Sequence, residues 1–320
     1  MPIEDNPALS PNLLAMPYVR QLIEQPERFG IAVTKLGGVT LVDCGVKAKG
    51  GWDAGALFAN ICLGGLAKVQ LTWGDFCGFR WPAVEVVTDH LIRACMASQY
   101  AGWYIKTDSY SAMGSGPARA IIGSEELFAK IGYKDSAKTA VICLESRKLP
   151  DEKTALWLAE RCICSPESMY ILVAPTASPV GSVQIAARSV ETGLHKLMEL
   201  GYGLEKIESG WGVAPVPPVA GDDMTALGRT NDAILYGATV HYTLEDEDGC
   251  IEETLPKIPS SNSRDYGVPF KDIFERYGNF YDIDPLLFSP ARVLLTNRKS
   301  GRSFVAGEIR KDLLERSFQI

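Results

Sequence analysis

Short apolar runs alternate along this chain with longer segments whose apolar residues recur at helical spacing, and that alternation limits the architectures open to it. Ile31–Thr34 and Val39–Asp43 flank Gly37-Gly38 as a predicted β-hairpin. Val69–Thr72 and Val84–Val87 read as further strands. Ala140–Leu144 and Tyr170–Ala174 are apolar throughout, the pattern of strands buried on both faces. Between these lie predicted helices at Asp53–Ala67, Leu91–Gln99 and Glu152–Cys162, the last opened by Pro150-Asp151, a stop followed by a cap. Ser182–Leu200 is the longest predicted helix. Ala233–Leu244 and Ala291–Thr296 add strand-like material. Strands and helices in alternation predict an α/β fold with helices laid over sheets. A strand–loop–helix echo, near Val42 and again near Val173, fits two halves dividing near residue 140. It fits equally the repetition found in any α/β protein. The expected organisation is an N-terminal α/β domain over 1–140 and a C-terminal one over 141–320, with the strand at 291–296 able to return to the first domain's sheet.

Composition narrows the function classes. Of 320 residues, 46% are apolar and 22% charged, and the formal charge of −7 is spread along the chain. A nucleic-acid surface calls for a basic stripe, and none is visible. The opening MPIEDNPALSP lacks the basic and apolar regions of an export signal. The most apolar stretch, near Ala54–Leu71, is interrupted by Asn60, Gly64, Gly65 and Lys68, so no membrane span is expected and a cytoplasmic location is. Most of the eight cysteines sit in apolar runs such as VDCGV and AVICLE, as buried reduced thiols do. His90, His195 and His241 stand far apart, in no zinc-ligand spacing, so no metal is expected.

The common nucleotide and hydrolase signatures are missing. GVKAKGG lacks the ending of a phosphate loop, and GSGPAR carries Arg119 where a dinucleotide fingerprint has its last glycine. Three glycine- and proline-rich loops remain, at 114–119, 175–181 and 210–221. Each can let a ligand approach the backbone, and each can equally be ordinary turn chemistry.

The segment 182–200 carries the sharpest local signal. Val183, Ala186, Ala187, Val190, Leu194 and Leu197 form one face at about 100° per residue. Gln184, Arg188, Glu191 and His195 form a stripe on the other side. Arg188 and Glu191 are three apart and can touch. Taken alone they read as a solvated ion pair, which contributes only ~0.2–1 kcal/mol.

Longer motifs give that pair another meaning. VDCG with GGWDAG, AGW followed by MGSGPARA, LPDEK, VAPTASPVGSVQIAARSVE, GRTNDAILYG, SNSRDYGVPF and FYDIDPLLFSPA together resemble the methenyltetrahydromethanopterin cyclohydrolase family, from about residue 40 to the C-terminus. The resemblance implies two α/β domains with a large pocket between them and a homotrimer. It implies reversible hydrolytic opening of 5,10-methenyltetrahydromethanopterin to the 5-formyl derivative, in the one-carbon metabolism of methanogens and methylotrophs, without metal or prosthetic group. The family's catalytic arginine and glutamate, in an R-x-x-E step, map onto Arg188 and Glu191. Ser115, Arg119, Thr176, Ser182, Gln184, Asn231 and Asp232, together with Tyr100 and Lys106, form the expected substrate-binding set.

One position departs from the family. Its archaeal members carry a lysine before AGW, where this chain has Tyr100, so Lys106 or Arg119 is the expected substitute for a polar coenzyme contact. Three other functions are weighed against it: a pterin-binding protein that has lost catalysis, another pterin one-carbon enzyme such as a formyltransferase or a dehydrogenase, and a folate cyclohydrolase, an activity that usually sits on a Rossmann-type scaffold with another signature. Retention of both Arg188 and Glu191 weighs against the first, and the absence of a dinucleotide fingerprint weighs against a dehydrogenase.

Overall fold

The computed structural model describes residues 6–278 and 282–320. These residues group into two compact units that interleave in the sequence: residues 6–67 with 92–184, and residues 68–91 with 185–278 and 282–320. The expected division near residue 140 falls inside the first unit, immediately ahead of a central strand.

The first unit contains α1 (Pro11–Glu24), α2 (Pro26–Phe29), β1 (Ala32–Leu36), β2 (Val39–Asp43) and α3 (Trp52–Cys62). It resumes with a π-helix at Ile92–Gln99, then β5 (Trp103–Lys106), β6 (Ser111–Ser115), α4 (Ala118–Ile122), α5 (Glu126–Ile131), β7 (Ala140–Glu145), α6 (Glu152–Arg161), β8 (Met169–Ala174) and α7 (Pro179–Ala186). Its six strands run β1-β2-β8-β7-β6-β5, with β2, β8 and β7 parallel. Val42, Cys44, Val141, Cys143 and Leu172 face α1 and α3, through Ala15, Phe58 and Ile61. Leu41, Ile142, Leu144, Ile171 and Val173 face α6, through Ala155 and Leu158. Burial on both faces is why these strands read as unbroken apolar runs. The predicted cap of α6 is present: the Asp151 carboxylate accepts the Thr154 amide at 2.8 Å.

The second unit contains β3 (Lys68–Asp75), β4 (Arg80–Thr88), α8 (Ser189–Glu199), β9 (Ile207–Pro215), α9 (Asp223–Leu235), β10 (Thr239–Leu244), α10 (Asp248–Thr254), α11 (Phe270–Tyr277), β11 (Arg292–Asn297), β12 (Ser303–Gly307) and α12 (Lys311–Phe318). Its sheet runs β12-β11-β10-β9-β4-β3, and β10 with β11 is its parallel pair. The strand expected at 291–296 is β11, and it belongs to this sheet. α8 packs on one face. On the other, Ala233, Tyr236, Phe270, Leu313 and Phe318 from α9, α11, α12 and the turn after α9 close over Ala83 and Val213.

Two expectations are corrected. The segment 233–244 is not strand throughout. Asp222 caps α9 by accepting the Thr225 amide at 2.9 Å, and the helix runs on to Leu235, leaving only Thr239–Leu244 extended. The long helix at 182–200 is two helices, α7 and α8, separated at Ala187-Arg188. There the Arg188 amide bonds back three residues, to the Ile185 carbonyl, at 3.0 Å. Val183, Ala186, Ala187, Val190, Leu194 and Leu197 are all buried, so the apolar rhythm continues across the break and does not register it.

Candidate active site

The position of α8 is set by what the strands beneath it lack. Gly210 and Gly212 of β9 face the helix. A Cβ at Gly212 would lie 2.3 Å from the Ser189 hydroxyl, and one at Gly210 would lie 2.7 Å from a Val190 methyl. Tyr242, paired with Gly210 across the sheet, donates its hydroxyl to the Val190 carbonyl at 2.6 Å. Gly193 leaves that hydroxyl its space, since a Cβ there would sit 2.3 Å away. Backbone thus rests nearly on backbone.

At the start of this seated helix, Arg188 Nη1 lies 3.9 Å from Glu191 Oε2. Their side chains are only 12% and 8% exposed, so the pair is not the solvated surface contact that spacing alone suggests. Withdrawing two charges from water is expensive without further compensation, and such pairs persist where they serve a purpose. Glu191 sits in the first turn, where the unpaired amides of the helix favour an anion. The Arg188 carbonyl accepts both the amide and the hydroxyl of Thr192, each at 2.8 Å, which fixes the turn between the two charges. His195 instead pairs with Glu199 at 3.8 Å, one turn further on.

Several expected binding residues lie in the first unit. The loop after β8 carries Thr176, whose hydroxyl donates to Glu145 at the end of the parallel neighbour β7. In the same loop the Ser178 hydroxyl accepts the Gly181 amide at 3.0 Å and so starts α7. Ser182 and Gln184 follow on α7, both buried. Lys106 ends β5 opposite Ser111, exposed, toward the carboxyl ends of β7 and β8. In open α/β sheets that edge is where ligands bind. Ser115 is buried further down β6, its Oγ 3.7 Å from Cys62 Sγ.

Arg119 is placed differently from expectation. Four of its five donors are committed: two to Glu125 at 2.8 and 2.5 Å, and two to the carbonyls of Met96 and Ser98, both at 3.2 Å. Its guanidinium lies 5.3 Å from the Tyr100 ring centre. Arg119 is a buried strut behind Tyr100, and Lys106 is the solvent-facing cation of the two.

Asn231 and Asp232 lie on α9, across the sheet from α8. Asn231 Nδ2 donates to the Leu227 carbonyl in its own helix. Asp232 is fully buried, and its Oδ1 accepts the Phe270 amide at 2.8 Å, capping α11 from a neighbouring helix. Burial pushes its carboxyl up to about 7, against the pull of Ser317 and the Phe270 amide. A cavity of about 290 Å³ opens beside it, lined by Arg229, Lys271, Asp272 and Arg316 among others.

Sequence reading passed over Asp43, which ends β2. Burial alone would raise its carboxyl, but the amides of Gly45, Lys47, Val46 and Ala48 outweigh it and hold the group below its ordinary value. One side chain thereby shapes the whole loop at 44–48. The only sign of it was an acid closing an apolar run just before glycine. Glu145, the acceptor of the Thr176 hydroxyl, gave no local sign. Among the described residues no group of three or more His, Cys, Asp or Glu is placed to hold a metal ion, and no helix is long and apolar enough to cross a membrane.

Comparison with known proteins gives this geometry a context. The family described as Cyclohydrolase (MCH) matches residues 10–318. A protein of Methanococcoides burtonii named methenyltetrahydromethanopterin cyclohydrolase is 46% identical over 286 residues, covering 88% of this chain and 89% of its own. Proteins of the same name from Methanosarcina barkeri and Methylobacillus flagellatus are 43% and 42% identical, each over at least 95% of both chains. With matching sequence over almost its full length and an R-x-x-E pair withdrawn from solvent, the chain belongs to the MCH cyclohydrolase family.

Proposed function

We propose that this chain catalyses the reversible hydrolytic opening of 5,10-methenyltetrahydromethanopterin to 5-formyltetrahydromethanopterin, with Glu191 and Arg188 as its catalytic residues. The observation that carries the reading is the charge pair withdrawn from solvent at the first turn of α8. The methenyl carbon lies between two nitrogens and shares their positive charge, so it accepts water without a Lewis acid. Glu191 holds the water on one face of that carbon and takes a proton as the new C–O bond forms. The carboxylate also stabilises the cation it faces. Arg188 keeps the carboxylate aimed. Collapse of the tetrahedral adduct breaks one C–N bond. The departing nitrogen gains a proton, the formyl C=O forms, and one proton is released net to solvent.

Thr176, Ser182, Gln184 and Ser115 are proposed to line the substrate's path, with Lys106 and Tyr100 meeting its polar parts. Arg119 acts through Tyr100. Asn231 and Asp232, across the sheet from Glu191, take part as supports of the fold rather than as contacts of the reacting carbon. The same reading includes a pterin substrate, a homotrimer and a cytoplasmic location.

The test is the decay of methenyl absorbance with purified protein, run with methanopterin and folate substrates side by side. Turnover with the methanopterin substrate and none with folate is expected. No turnover with either would favour a pterin-binding protein that has lost catalysis. Exhaustive chelation is expected to leave the rate unchanged, and a loss restored by zinc or magnesium would overturn the assignment of Glu191 as the activator of water.

A further inference from the structure

Helices α9, α11 and α12 close over one face of the second unit's sheet without filling the space among themselves. A cavity of about 290 Å³ remains, lined by Arg229 and Asp232 of α9, Lys271, Asp272 and Glu275 of α11, and Arg316 of α12. That volume is at the lower end of small-molecule sites. The cavity lies across the sheet from α8 and Glu191, and no step of the proposed hydration uses it.

Its charges are unevenly matched. Arg316 lies 2.9 Å from Asp272, and Lys271 lies 4.0 Å from Glu275, so each of these exposed cations has an acid. Arg229 is only 9% exposed, and its partners among the described residues are carbonyls: Ser317 at 3.1 Å from Nε and Pro218 at 3.4 Å from Nη1. A charge withdrawn from water without a counter-charge is costly. Asp232, three residues on and so on the same side of α9, is fully buried. Its Oδ1 accepts the Phe270 amide, while Oδ2 completes no hydrogen bond. Burial keeps this carboxyl protonated up to about pH 7. Oδ1 is engaged as an acceptor, so the proton belongs on Oδ2. One turn of α9 therefore gives the cavity two donors, a guanidinium and a carboxyl O–H, with no acceptor assigned to them. Buried polar groups are ordinarily hydrogen-bonded.

We propose that this cavity binds a small oxyanion, the carboxylate or phosphate group of a metabolite, between the Arg229 guanidinium and the Asp232 carboxyl. Arg229 repels a cation from this place, and an apolar group would leave both donors unpaired. An oxyanion accepts from both, and hydrogen bonds to ionised partners are the strong ones. The charges facing Asp232 are Arg229 on its own helix, Lys271, Asp272 and Glu275 on α11, and Arg316 on α12. Loss of the Asp232 proton replaces a donor with a like charge. Binding therefore weakens as pH rises through about 7.

The experiment is isothermal titration calorimetry of the full chain with millimolar sulfate, whose charge is constant between about pH 6 and about pH 8. Saturable one-to-one uptake is expected. The dissociation constant should be about tenfold higher at the upper pH, because the protonated fraction of Asp232 falls from about nine-tenths to about one-tenth. Inorganic phosphate and acetate, compared at the lower pH, separate the two sources: tighter uptake of phosphate assigns a phosphate group, and tighter uptake of acetate a carboxylate. Arg229→Gln should weaken sulfate binding by about tenfold or more. If that variant does not fold, Asp232→Asn decides. Its amide keeps an acceptor for Phe270 and offers the anion a donor at every pH, so binding should survive and lose its pH dependence. Absence of saturable uptake by wild type would overturn the site. So would undiminished uptake by folded Arg229→Gln, or a wild-type pH dependence in folded Asp232→Asn.

Discussion

Glu191→Gln keeps size and hydrogen-bonding capacity and removes the charge, so turnover should fall by a factor of ~10² or more, measured by substrate decay with circular dichroism as the folding control. Arg188→Ala should also be damaging. In the proposed mechanism both groups act on one water, and on that reading the double variant should cost less than the sum of the two single changes. A well-folded Glu191→Gln protein with most of its turnover intact would make the pair structural. Asp232 supports a different prediction. Its carboxyl ionises near 3.8 in the unfolded chain and about 7 when folded. Between those values the folded protein holds a proton that the unfolded chain has released. The stability it contributes is therefore complete below about pH 4 and is lost as pH rises through 7. Asp232→Asn should flatten this dependence by up to about 1.4 kcal/mol per pH unit, read from denaturant midpoints between pH 4 and 7. A variant with the wild-type slope would show that Asp232 is already ionised. The Arg188–Glu191 pair was legible from its spacing and its motif. The role of Asp232 was not, because capping a helix that begins 38 residues later is a tertiary contact with no local trace.

At the level of elements, α8 depends on the glycines beneath it. Gly212→Ala would drive a methyl into the Ser189 hydroxyl. Relief requires α8 to rise, and overpacking of this kind costs about 1–3 kcal/mol. Turnover should fall with stability, since Glu191 moves with the helix. Full turnover at an unchanged melting temperature would show that the seating of α8 tolerates the shift. The hairpin β1–β2 and the strands β7 and β8 could be read from the sequence, because two glycines between apolar runs and unbroken apolar runs each have few structural meanings. The break between α7 and α8 could not. It contains neither proline nor glycine, and a tight turn that preserves the apolar spacing leaves periodicity intact. The start of β10 was misplaced for a related reason: ALGRTNDAIL is apolar enough at its end to pass for strand, and only the Asp222 cap upstream marks it as helix.

For the molecule as a whole, alternation of strands and helices sufficed to predict the α/β class, but not how the chain distributes itself between two sheets. β3 and β4 leave the first unit as a hairpin, and the chain then returns to complete the sheet it left. No periodicity reports such an excursion, because each strand looks the same whichever sheet receives it. The interleaving bears on how the protein is made. The second partner of β4, beside β3, is β9, whose first residue, Ile207, follows Thr88 by 119 positions. At about 5–20 residues per second, a ribosome takes roughly 6–24 s to synthesise that stretch. Through that interval the hairpin is out of the tunnel with an unpaired β4 edge and an apolar side uncovered. Biogenesis in the cell should therefore depend on a holding chaperone in a way that refolding of the finished chain, where β9 is present from the start, does not.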